Sequence, residues 1–63
     1  MIKGDKVKVL PNHQLRSYVD QVGVVRQWRE VGIALHNIDY EYLVMFGTDG
    51  PFFWIPSRYL QRL

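Results

Sequence analysis

Tyr40-Glu41-Tyr42-Leu43-Val44-Met45-Phe46-Gly47-Thr48-Asp49-Gly50-Pro51-Phe52-Phe53-Trp54-Ile55 is the stretch whose reading decides the fold class. Its first seven residues contain no breaker and are rich in aromatic and branched side chains, which pack well on a pleated surface. A period of two puts Tyr42, Val44 and Phe46 on one face and Leu43 and Met45 on the other. Gly47 to Pro51 then reads as a tight turn, because glycine tolerates positive φ and Asp49-Gly50 is a hairpin signal. Phe52-Phe53-Trp54-Ile55 returns as a second strand.

Working outward, Pro56-Ser57 stops that strand, Ser57-Arg58-Tyr59 fits one helical turn, and Leu60 to Leu63 supplies a last strand. Upstream, Lys6-Val7-Lys8-Val9-Leu10 alternates charged and apolar residues after the turn signal Gly4-Asp5 and ends at Pro11-Asn12. Residues His13 to Asp20 read as a long loop pinned by Leu15, Tyr18 and Val19. Gln21 to Arg29 reads as a bent strand, since a glycine inside a strand, here Gly23, marks a bulge or a close backbone crossing. Glu30 to Asp39, interrupted by Gly32 and Asn37, reads as a hairpin loop. The expectation is an all-β, five-stranded barrel with a short helical turn before the last strand, since closure disposes of otherwise uncovered edges.

The chain has 63 residues, no cysteine and a formal net charge of +2. That length makes residues 1–63 a single domain with a small core. Disulfides and thiolate-bound zinc are excluded, and a reducing cytoplasm is the expected compartment. No charged start leads into an apolar run, so neither targeting nor membrane insertion is expected. Aromatic residues make up 14% of the chain, more than so small a core can hide, so several should lie at a surface or an interface. By alternation Val7, Val9, Val44, Phe46, Phe53 and Ile55 fill the core. Leu43, Met45, Phe52 and Trp54 are left as an outward apolar strip of the kind interface centres favour.

Gly50-Pro51-Phe52-Phe53-Trp54-Ile55-Pro56-Ser57-Arg58-Tyr59-Leu60 resembles the end of an SH3 domain, and Lys3 to Leu10 resembles the opening strand of SH3 and bacterial SH3-like barrels. The resemblance implies a five-stranded SH3-like barrel and a shallow peptide groove lined by Tyr59, Pro56, Trp28 and Tyr18. The basic first strand, the following loop and Val22-Gly23-Val24-Val25 are also similar to photosystem I reaction-centre subunit IV, which implies a small accessory subunit of a larger complex. The same Gly and Val positions resemble the KOW motif, which implies contact with RNA or protein. Tyr42 to Leu63 resembles the plasmid type II dihydrofolate reductase, an oligomeric pore enzyme. That family's active-site glutamine and tyrosine have no counterpart in Phe52-Phe53-Trp54-Ile55, so no activity carries over.

Little else in the chain suggests catalysis. Ser17, Ser57, His13 and His36 are the only candidates for a serine–histidine pair, and Ser57 is explained by the turn after Pro56. His36 and Asp39 are too sparse a set for a metal site. No catalytic residue, metal or cofactor is therefore expected. The expected function is a non-catalytic protein-interaction module whose partner is another protein or complex, a second copy included. Its contact residues would be Tyr18, Trp28, Leu43, Met45, Trp54, Pro56 and Tyr59. The alternative is a nucleic-acid binder using Lys8, Arg16, Arg26 and Arg29, since cations interleaved with aromatics suit single strands. Asp5, Asp20 and Glu30 in the same regions dilute that field.

Overall fold

The computed structural model describes residues 1–34 and 37–63, with side chains described outside 33–38. Its strands are β1 (Lys6–Val9), β2 (Val22–Ala34), β3 (Asn37–Met45), β4 (Phe52–Pro56) and β5 (Leu60–Arg62). Single 3₁₀ turns occupy Arg16–Tyr18 and Ser57–Tyr59. All pairings are antiparallel, in one sheet of order β4-β3-β2-β1-β5. The fold is thus all-β, with five strands and a helical turn before the last, as the sequence leads one to expect. The sheet is not closed by a ladder, since β4 and β5 are its two edges among the described residues.

Curling takes the place of closure. Val7, Val9, Val25, Tyr42, Val44, Phe46, Ile55 and Leu60 are buried in one cluster, and every strand or its immediate end contributes to it. A single sheet can bury one face in this way only by wrapping around it. The turn Ser57–Tyr59 spans the open side, where the Leu10 amide donates to the Tyr59 carbonyl at 2.7 Å. Phe53, expected in the core, packs at its rim with Tyr18, Leu15, Met1 and Tyr59.

Local chemistry explains the connections. The Asn12 carboxamide oxygen accepts from the amides of Gln14 and Leu15 while its nitrogen donates to the Leu10 carbonyl, which turns the chain out of β1. The loop that follows is anchored by Leu15 and Tyr18 as expected, and carries a 3₁₀ turn besides. Gly47 and Gly50 take φ of 76° and 109° in the β3–β4 turn, as its glycines require.

The register decides between the two readings of Gly23, bulge or close crossing, and corrects the hairpin loop expected after it. The bulge lies at Arg26, between the pairs Val25–Val44 and Gln27–Leu43, and not at Gly23. Gly23 is instead the close crossing: a Cβ there would overlap Val44 Cγ1 and stand 2.9 Å from the Met45 carbonyl oxygen. The stretch from Glu30 to Asp39 is largely strand, not loop, because the β2–β3 ladder continues through Glu30–Tyr40 and Val31–Asp39 to Ala34–Asn37. Leu35 and His36, at the tip, lie outside the described residues. β4 stops pairing at Glu41 and β1 at Val24, so beyond them β2 and β3 form a two-stranded ribbon. The molecule measures 37 Å along its longest axis.

Candidate interaction surface

Directly opposed residues on antiparallel strands share a face. Leu43 opposes Trp54 and Met45 opposes Phe52 on one side, while Val24 opposes Met45 on the other. Five apolar side chains thus form one patch on the outer face of β2, β3 and β4, the side away from the core. Phe52 is 49% exposed and Leu43, Met45 and Trp54 are half-buried. Val22, 48% exposed, extends the patch toward β1, where Lys6 and Lys8 stand opposite Val24 and Val22.

The far end of the patch is capped by charge. The Arg29 guanidinium lies 4.1 Å from the Trp54 ring centroid and donates twice to one Glu41 carboxylate oxygen, from Nε at 2.9 Å and from Nη2 at 2.7 Å. Arg29 reaches this face because of the bulge. Were Arg26 an ordinary paired residue of the ladder, strict alternation from Val25 would turn Arg29 inward; because it is bulged, Trp28 takes the inner side opposite Tyr42 and Arg29 the outer side opposite Glu41.

The remaining expected contact residues divide among other surroundings. Tyr18 packs against Phe46 and Phe53, at centroid distances of 4.9 and 5.0 Å, and belongs to the core rim. Trp28 meets Tyr40 edge to face at 5.8 Å on the ribbon and is 57% exposed. Pro56 ends β4 opposite Glu41, at the charged end of the outer face, whereas Tyr59 is half-buried beneath the Arg58 guanidinium, 4.8 Å from its ring. Tyr18 and Trp28 therefore sit in separate aromatic groups. The apolar strip is what the structure assembles.

The chain matches no family model, no curated protein and no solved structure.

The basic residues are likewise dispersed. Arg29, Arg58 and Arg62 pair with Glu41, Asp39 and Asp5 at 2.7, 3.6 and 3.7 Å. Lys8 stands between Val22 and Gln61 on the outer face, and Arg16 lies in the first 3₁₀ turn. Arg26, at the bulge, instead shares a cleft with Ile2, Lys3, Gln27 and Trp28. Nothing in the composition singles out Lys3 and Ile2; the turn that brings them there is held by the Asp5 amide donating to the Ile2 carbonyl and the Ile2 amide donating to the Asp5 carboxylate, both at 3.0 Å. Among the described residues no group of three or more His, Asp or Glu side chains could hold a metal ion, and no helix is long and apolar enough to cross a membrane.

Proposed function

We propose that this chain is a non-catalytic protein-interaction module, an accessory subunit that docks on a larger protein assembly through the outer face of β2, β3 and β4. The observation that carries the reading is the cross-strand register of Leu43 with Trp54 and Met45 with Phe52, which gathers large, partly exposed apolar side chains on a rigid sheet. Trp, Phe, Met and Arg are enriched at interfaces, whose margins are polar. Arg29 occupies such a margin, held in place by Glu41. The strand order β5-β1-β2-β3-β4 and the 3₁₀ turn before β5 support placing the domain among SH3-like barrels. The absence of cysteine supports the cytoplasm as its site of action.

The experiment compares immobilised wild-type protein with Leu43→Glu/Trp54→Ala and with Trp28→Ala. A defined protein retained by the wild type and by Trp28→Ala, but lost with the strip variant, supports the proposal. Equal retention by all three, or none by any, counts against it.

A further inference from the structure

Beyond the strip, the flank of β2 carries a second feature. A cleft of about 490 Å³ lies between the N-terminal turn and the bulge, lined by Ile2, Lys3, Arg26, Gln27 and Trp28. It is shallow and open to solvent, and comparable in volume with ordinary small-ligand sites. Trp28 supplies an aromatic wall; it is 57% exposed and meets Tyr40 edge to face, which leaves much of the indole to solvent. Lys3 and Arg26 supply two cations, and neither has a carboxylate within ion-pairing distance among the described residues. Among the described residues the lining contains no acid. Asp5, the nearest in sequence, is turned to the Ile2 amide and Arg62, and Glu30 lies further along the ribbon, opposite Tyr40.

Both sides of the cleft are constructed. The N-terminal turn is tied to β2, with the Gly4 amide donating to the Val25 carbonyl at 2.8 Å and the Val25 amide donating to the Asp5 carbonyl at 2.9 Å. Immediately after this tie comes the bulge, which frees Arg26 from the ladder and re-aims its side chain. A planar apolar wall beside two free cations and a primary amide suits a flat ring that carries a phosphate. We propose that this cleft binds one nucleotide unit, with the base stacked on Trp28, the phosphate between Lys3 and Arg26, and the Gln27 amide available to the base edge. The unit could be a free mononucleotide or one residue of a single strand, and both present the same chemistry to the cleft.

The cleft touches the outer strip at Gln27, whose ladder partner is Leu43, so Phe52→Ala, at the far side of the strip, is the strip variant that should leave the cleft unchanged. The test follows the amide and indole N–H resonances of the labelled full chain during titration with inorganic phosphate, thymidine monophosphate and octadeoxythymidylate at low salt. Shifts should concentrate at the Trp28 indole and the Lys3 and Arg26 amides with a thymidine-bearing probe, and be weak with phosphate alone. A response to the monophosphate identifies a free nucleotide as sufficient, whereas a response to the octamer alone identifies a strand. Trp28→Ala should weaken binding at least tenfold. Arg26→Gln, at a position outside the ladder and so without consequence for folding, should flatten the dependence of log affinity on log salt. For a single strand, one neutralised phosphate gives a slope of about −0.7, and loss of one of the two cations that hold it should bring the slope toward zero. The proposal is overturned if no probe shifts Trp28, if phosphate alone reproduces the pattern, if Arg26→Gln leaves the slope unaltered, or if an acidic tyrosine-containing peptide shifts the same resonances as strongly.

Discussion

Gly23→Ala is the smallest change that should damage this fold severely. Gly23 is buried in β2, opposite Val7 on one side and against β3 on the other. An added Cβ would overlap Val44 Cγ1, stand 2.9 Å from the Met45 carbonyl oxygen and reach 3.1 Å from Phe46 Cε1. Val44 and Phe46 are core residues and the third contact is backbone, so none can swing away. Overpacking of this kind costs about 1–3 kcal/mol, and backbone involvement puts Gly23→Ala near 3. A domain of this size has only about 3–9 kcal/mol of stability in total. The melting temperature should therefore fall by roughly 12–24 °C, at about 4–8 °C per kcal/mol. The mechanism is separable from a general loss of strand order by a double-mutant cycle in urea. Val44→Ala alone should cost about 2 kcal/mol through lost burial and a cavity. In combination the two should cost about 1–2 kcal/mol less than their sum, since Val44→Ala removes the first clash and leaves the Met45 carbonyl. A melting point within about 3 °C of wild type for Gly23→Ala, or a strictly additive cycle, would refute the close-crossing account.

Further expectations follow from single contacts. Arg29→Ala removes an ion pair and a guanidinium stack on a face where Arg29 is 50% exposed, and should cost about 0.5–1.5 kcal/mol by denaturant titration, with Glu41→Gln accounting for less than half. Tyr18→Phe should be nearly silent in a thermal melt, because Tyr18 acts through its ring against Phe46 and Phe53, whereas Tyr18→Ala should lose at least about 1 kcal/mol. Ile55→Val, at a fully buried position, should cost about 0.5–1.5 kcal/mol. Trp28→Ala should leave the melting point within a few degrees but speed amide exchange at the ribbon pairs Arg29–Glu41, Glu30–Tyr40 and Val31–Asp39, and unchanged exchange there would show that the Trp28–Tyr40 pair does not hold the ribbon together.

Much of this architecture is legible in the sequence because period-two alternation in β1, β3 and β4 agrees with the turns that bound them. Tyr42, Val44 and Phe46 point inward, and Leu43, Met45 and Trp54 outward, just as that alternation dictates. The bulge was not legible at its true position. Gly23 advertises an irregularity and Val25-Arg26-Gln27 does not, yet the glycine is needed for space and the extra residue falls three positions later. Gly32 and Asn37 read as breakers, but pairing resumes beyond Gly32, across a second register shift between Val31 and Ala34, and reaches the pair Ala34–Asn37, since pairing there is specified by the partner strand as much as by local propensity. The Arg29–Trp54 stack was hidden for a related reason: it depends on a change of face that only the register reveals. The cleft residues were hidden by distance along the chain, because Lys3 meets Trp28 only through the hydrogen-bonded turn at Ile2 to Asp5.

The bulge also bears on how relatives of this chain would look. Val25 and Gln27 oppose successive residues of β3, so removing Arg26 would leave Val25, Gln27, Trp28 and Arg29 in unbroken alternation with every side chain on its present face. In evolutionary terms the position behaves as a one-residue insertion that changes the path of the strand without changing what is inside or outside. A homologue without it would align with a gap in the middle of β2, where strands are ordinarily held gapless, and a gapless alignment would place the counterparts of Trp28 and Arg29 one step out of phase. Common descent in this family would then be easier to trace by matching ladder partners than by matching letters.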